Sequence, residues 1–315
     1  MLSQYGLFVL ELVTVIALVV IAALIVASAR KSGGGHGLSI RHLNAEIERR
    51  ELKSQRELLP RKAFRKLARE RRKRHRNRDS RRRIFVLDFK GDLRASAAAS
   101  LREEVTAILD VASPPDEVVL RLENSGGTVH EHGFAASQLA RFHEAGLKLT
   151  VVVDKVAASG GYLMAAVADR IVAAPFAIIG SIGVVAQLPN FHRFLEERGI
   201  DFEQITAGRF KRTLSVFGEN TDEGREKLKA ELREVHDLFK HQITERRPQV
   251  DIESVATGEH WYGSRALELE LIDAIGTSDD LLRQAATDAD LYAVTFHRRR
   301  SLAEKLAGPA ASVLG

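Results

Sequence analysis

Short apolar runs alternate with helical stretches from Ile84 onward, and this alternation limits the fold more than any other feature of the chain. Segments 84–89, 117–122, 148–154 and 170–174 read as strands, and 96–110, 130–145 and 160–168 as the helices between them. Strands this apolar have both faces covered, and strands separated by helices pair in parallel. Right-handed crossovers then give a βα spiral or a doubly wound layer. A long charged helix over 221–247 follows, ending before Pro248, and a final β/α portion runs from 251 to 296. The expectation is an α/β fold with no internal repeat.

The first 83 residues are of a different kind. Residues 7–29 are apolar or small apart from Glu11, Thr14 and Ser28. About 20 apolar residues cross the hydrocarbon core, so the run predicts one transmembrane helix. No Lys or Arg precedes it, unlike the basic start of a cleaved signal peptide. Arg30, Lys31, Arg41, Arg49 and Arg50 follow it, which by the positive-inside rule puts the C-terminal domain in the cytoplasm. Ser32-Gly33-Gly34-Gly35-His36-Gly37 reads as a hinge, and 41–82 as broken helices or disorder. Fourteen of the twenty-three residues from 61 to 83 are Lys or Arg, so the net charge of +5 hides a local excess over an acidic remainder. Such a stalk suits anionic lipid headgroups, while a solvated linker is the plain alternative. Nucleic acid is the least favoured partner, because Phe64 is the stretch's single aromatic and no nucleic-acid-binding fold is recognisable. The expected domains are an anchor at 1–31, a hinge and basic stalk at 32–83, the α/β domain at 84–297 and a basic tail at 298–315.

Three junctions carry candidate chemistry. Ser125-Gly126-Gly127 follows a strand and precedes a helix, where backbone N–H groups can meet an oxyanion or a phosphate; a plain tight turn would look the same. No nucleotide fingerprint accompanies it. Ala157-Ala158-Ser159-Gly160-Gly161 lies at the next strand–helix junction, where small neighbours leave the hydroxyl accessible; a serine cap would look alike. Gly180-Ser181-Ile182-Gly183 reads alone as a turn, and Lys211, 52 positions after Ser159, alone as a solvated charge. Taken together they fit a serine nucleophile with a lysine base. His130, His132, His143, His192, Asp154 and Asp169 are available for a Ser–His–Asp arrangement, but no spacing singles one out. Cysteine is absent and no His/Glu pair has zinc-ligand spacing, so no metal and no cofactor is expected.

The ordered segments LTVVVDKVAASGGYLMAAVADRIVAAPFAIIGSIGVVAQLPNF, TAGRFKRTLSVFGENTDEGREK and VATGEHWYGSRALELELID resemble the signal peptide peptidase A family of Ser–Lys membrane proteases, most closely its single-domain SohB branch. The likeness covers 84 to 296 and takes in the N-terminal anchor. It implies a ClpP/crotonase-like fold. By similarity Ser159 matches the nucleophile, Lys211 the general base and Ser181 the serine that holds the lysine amine. Gly126, beside Gly127, and the Gly160 N–H match the oxyanion donors.

The resemblance further implies ring-like homo-oligomers in which serine and lysine come from neighbouring subunits. It implies peptide or protein substrates, such as unfolded or membrane-derived peptides and signal-peptide remnants. The expected location is a bacterial inner membrane, although the family has members facing the periplasm, against the charge argument. Two positions depart from the family pattern. Ser125 stands where proline is usual, which removes a fixed φ from the turn. Glu270 stands where glycine is usual, before Leu271-Ile272-Asp273. A catalytically silent scaffold of the same fold and an acyl-CoA enzyme of crotonase type are the alternatives, the second leaving Ser159 and Lys211 without a paired role.

Overall fold

The computed structural model describes residues 37–75 and 81–298. The expected transmembrane run at 7–29, the glycine hinge apart from Gly37, and nearly all of the basic tail lie outside the described residues. Among the described residues no helix is long and apolar enough to cross a membrane.

In chain order the elements are β1 (Gly37–His42), α1 (Leu43–Leu58), α2 (Arg61–His75), β2 (Arg82–Lys90), α3 (Ala98–Leu109), β3 (Glu117–Glu123), α4 (Val129–Glu144) and β4 (Lys148–Val153). Then come β5 (Val156–Ala158), α5 (Gly160–Ala166), β6 (Arg170–Ala173), β7 (Ile178–Gly180), α6 (His192–Glu196) and α7 (Asp222–Arg246). The last are α8 (Ile252–Val255), β8 (His260–Tyr262), α9 (Gly263–Glu268), β9 (Ala274–Ile275), α10 (Ser278–Ala285) and β10 (Ala289–His297).

A seven-stranded sheet runs β1-β10-β2-β3-β4-β6-β9. Its inner pairs, from β10·β2 through β6·β9, are all parallel. Both faces are covered, and β2 shows why its run of apolar residues is nearly unbroken. Successive side chains of a strand alternate between faces. Phe85, Leu87 and Phe89 join one core with Leu101, Val105 and Leu139. Ile84 and Val86 join the other, with Leu282 and Leu291. The α/β parallel-sheet expectation therefore describes the fold.

A boundary at 83/84 does not describe it. β1 is an edge strand beside β10, and Leu43 and Ile47 of α1 pack on the second core. Buried Asn44 pins α1 down, donating to Ala289 O (2.9 Å) and accepting from Leu291 N (2.7 Å). The first half of the supposed stalk thus belongs to the α/β unit, and only α2, after the break at Pro60, keeps the strongly basic character.

One ion pair braces the long helix. Arg247, 2% exposed, follows α7 and pairs with Asp273 through Nη2–Oδ1 at 2.8 Å and Nη1–Oδ2 at 3.1 Å. Asp273 also accepts from Ile171 N (2.6 Å), tying the long helix to β6. Glu270 sits at φ 59°, a conformation open to glycine without steric cost, which accounts for the glycine usual there.

Glu104 on α3 is buried, and that burial pushes its carboxyl up to about 7. The Phe296 N–H opposes the shift, and the Asp88 carboxylate adds to it. Between the ordinary value of 4.5 and about 7 the folded chain holds a proton that the unfolded chain has released. Stability is therefore expected to fall as pH rises through that window and to level off above it. Urea midpoints for wild type and Glu104→Gln on either side of the window check this. The variant should lose that part of the slope and be the more stable above it.

Candidate active site

A second, three-stranded sheet, β5-β7-β8, builds the site. β5 and β7 are parallel with Ala158 opposite Gly180, so the next residues of each strand, Ser159 and Ser181, come out side by side. Both have left turned-over backbones, φ 51° at Ser159 and 52° at Ser181. Such φ values are costly for residues bearing a Cβ, on the order of 1–3 kcal/mol, and persist only where the surroundings impose them. The constraint at Ser159 is visible: its N–H donates to Gly180 O (2.7 Å) and its carbonyl accepts from Leu163 N (3.0 Å) in α5. At Ser181 the N–H donates to Glu259 O (2.6 Å), and the hydroxyl lies 3.5 Å from Gly258 O.

The glycine turn reaches Ser159 because β3 leaves the main sheet beside β5. Asn124 N donates to Val156 O (2.9 Å), and Ala158 N to Asn124 O (3.0 Å). Gly126 then lies so close that a Cβ added there would be 2.7 Å from Ser159 Cβ and 2.9 Å from Gly160 N. The Gly126 N–H is already engaged, donating to Asn124 Oδ1 at 2.9 Å. The Gly127 and Gly160 N–H groups donate to no group among the described residues. Both adjoin Ser159 on the wall of one cavity.

Ser159 lies between two cavities. The first, of about 480 Å³, runs between α4 and α7, with Ala136, Ala140, Leu163 and Phe239 among its walls and Glu144 and Arg246 also bordering it. The second, of about 400 Å³, is shared by Ser159 and Ser181 and bordered by Leu232, His236 and Thr257. Ser159, Ser181, Gly126, Gly127 and Gly160 are thus one constellation.

Lys211 is not part of it within one chain. It is exposed in the irregular segment between α6 and α7, lines neither cavity, and its backbone N–H turns back to Gly208 O (3.1 Å). The neighbouring Phe210 ring is flanked by the Arg209 guanidinium at 5.1 Å and the Lys227 ammonium at 5.8 Å.

The histidine alternatives fare no better as bases. His132 is buried next to Gly160, but its Nδ1 is 2.9 Å from Thr128 O and its Nε2 3.2 Å from Asn124 Oδ1. Asp154 accepts from Ser278 and Asp169 from Leu149 N, both structural ties. No cluster of three metal-ligating side chains occurs among the described residues. Sequence reasoning missed Asn124 and the burial of His132. The one available signal was Asn124's position directly before the turn.

The model of the peptidase family S49 N-terminal region matches residues 1–139, and that of peptidase family S49 matches 141–292. A probable protease SohB of Haemophilus influenzae is 55% identical over 222 residues, 70% of this chain and 63% of the relative, so the chain spans under two thirds of that protein. A probable protease SohB of Buchnera aphidicola from Acyrthosiphon pisum is 54% identical over 227 residues, 72% of this chain and 68% of the relative. Among solved structures, a 1510-N membrane-bound stomatin-specific protease with a substrate peptide aligns over 74% of this chain and all of its own, at 13% identity and a TM-score of 0.47, too distant to support a functional comparison. The two family models and the identity to these relatives establish that the chain belongs to peptidase family S49, in its SohB branch.

Proposed function

We propose that this chain is a membrane-anchored serine endopeptidase of ClpP/crotonase-like type in which Ser159 is the nucleophile and Lys211 the general base. The observation that carries the reading is Ser159 itself, held at φ 51° against the Gly126-Gly127 turn with two unengaged N–H groups beside it. A lysine amine acts as a base only when neutral, a state favoured by burial away from water. It takes the Ser159 proton as Oγ attacks a peptide carbonyl. The oxyanion forms against the Gly127 and Gly160 N–H groups. The protonated lysine then gives its proton to the leaving amine, and water, deprotonated by the same lysine, releases the acyl group and restores the serine. Ser181, which follows Gly180 as Ser159 follows its partner Ala158, is suited to hold the amine in the cavity the two serines share.

The lysine is proposed to come from a neighbouring copy. Support lies in the stretch 185–217 around it, where Val185 (77% exposed) and Ile205 (94%) are uncovered and Phe191, Phe194 and Phe217 are about half exposed. Docking that segment against a second copy would bury them and desolvate Lys211 together. A chain that stays single has no base at Ser159, which is the observation favouring the alternative of a catalytically silent scaffold for peptides or membrane proteins.

Proposed substrates are unfolded or membrane-derived peptides, including signal-peptide remnants with small or apolar residues at the cut, matching the apolar walls of the larger cavity. The test is cleavage of a synthetic signal peptide by detergent-purified protein beside Ser159→Ala; equal cleavage by both, or none by wild type, would sink the reading. The apolar run at 7–29 is proposed as an inner-membrane anchor with the domain cytoplasmic and the basic stalk against anionic lipid. Alkaline phosphatase fused after Gly315 should be inactive in cells, and activity would move the domain to the periplasm.

A further inference from the structure

Two buried polar side chains beside the glycine turn have no part in the reaction above, yet both touch the backbone that would bind the oxyanion. Asn124 is 1% exposed and His132 0%. The Asn124 amide is packed closely on one side, since a Cβ added at Gly91 would lie 2.4 Å from its Cγ. Its Nδ2 lies 3.3 Å from Met164 Sδ, and its Oδ1 receives the Gly126 N–H at 2.9 Å. The same oxygen is 3.2 Å from His132 Nε2. The histidine ring lies flush against Gly160, where an added Cβ would come within 2.5 Å of its Cγ.

We propose that His132 is a positioning residue for the oxyanion turn: acting through Asn124, it fixes which backbone N–H groups are presented to the carbonyl attacked by Ser159. The ring nitrogens face Thr128 O at 2.9 Å and Asn124 Oδ1 at 3.2 Å, and the second contact is what steadies the amide. The Asn124 amide is then the variable partner. While the ring holds the amide, Oδ1 keeps the Gly126 N–H and the turn stays fixed. Without the ring the amide is free to turn, the Gly126 N–H loses its acceptor, and the Gly127 N–H beside it is no longer held toward the oxyanion.

The ring's own surroundings leave this link undisturbed. The 124–128 turn and α5, which pack on the ring, carry no charged side chain. The Tyr162 hydroxyl in α5 donates to Leu271 O (2.9 Å). On α4, His130 and Glu131 are 3.8 Å apart on the exposed side, while Glu144, Glu245 and Arg246 border the cavity that His132 also lines.

This proposal rests on Ser159 as the nucleophile, and its test separates the two. In the peptide-cleavage assay, His132→Leu should lower kcat about tenfold and leave KM within about twofold, because the donors act on the transition state more than on bound substrate. His132→Gln, whose amide can still meet Asn124, should recover most of the loss, which a purely space-filling role would not require. In an Asn124→Ala background, His132→Leu should have no further effect on kcat. If leucine unfolds the protein, Asn124→Ala carries the same expectation, a fall in kcat at unchanged KM. Hydrogen exchange at the Gly126 amide needs no substrate and should be faster in His132→Leu than in wild type or His132→Gln. Cleavage by wild type with unchanged kcat in the folded variants, or glutamine no better than leucine, would overturn the proposal. If wild type cleaves nothing, the protease reading fails, and exchange at Gly126 alone decides: equal rates overturn the link and faster exchange in His132→Leu supports it.

Discussion

Replacing Ser159 by alanine is expected to lower turnover by about a thousandfold or more while leaving the fold intact. Loss of a serine nucleophile removes the covalent route, and what remains is the modest catalysis of oxyanion binding and substrate alignment. The fold should be indifferent for a structural reason. The Ser159 hydroxyl takes part in no hydrogen bond among the described residues, whereas its backbone N–H and carbonyl hold Gly180 and Leu163 and survive the substitution. Alanine keeps the Cβ and therefore keeps the strain at φ 51°. Glycine at the same position should abolish turnover equally and, by relieving that strain, raise stability by about 1 kcal/mol if it outweighs the added freedom of the unfolded chain. Thermal melts beside turnover numbers check both parts; a Ser159→Ala protein that still turns over would remove the nucleophile assignment.

The second large effect is expected at Lys211. Alanine there should reduce turnover about as far as Ser159→Ala, because residues that act as a unit are lost together rather than in proportion. Stability of the single chain should stay within about 0.5 kcal/mol, since the side chain is exposed and no carboxylate pairs with it among the described residues. Arginine should fail to rescue: a guanidinium keeps its proton throughout the working range and cannot accept one from a serine. Turnover retained by Lys211→Arg would mean that position 211 supplies charge and not a base.

The sequence announced some of this architecture and concealed the rest. β2, β3, β4 and β6 were legible because two-sided burial leaves a run of Val, Ile, Leu and Phe that polar loops cannot imitate. The sheet that carries the site was not: β5, β7 and β8 are three residues each, too short for an alternating pattern to register. That sheet is nevertheless what sets Ser159 beside Ser181, so two unremarkable turn serines became neighbours only through register. β1 was hidden for a related reason, its six residues alternating weakly behind a glycine-rich stretch that reads as a hinge. Asn124 and His132 were concealed by type, since polar side chains are ordinarily expected at the surface. Lys211 stands out as a candidate base only through the family resemblance, and one chain leaves it in solvent.

Subunit complementation tests the shared Ser–Lys site most directly. Ser159→Ala and Lys211→Ala chains, each inactive alone, are co-expressed in equal amounts and purified as one assembly. If each site takes its serine from one copy and its lysine from the next, about a quarter of the sites regain both groups, and about a quarter of wild-type turnover should return. A mixed assembly that contains both chains and remains as inactive as either variant alone would contradict the account.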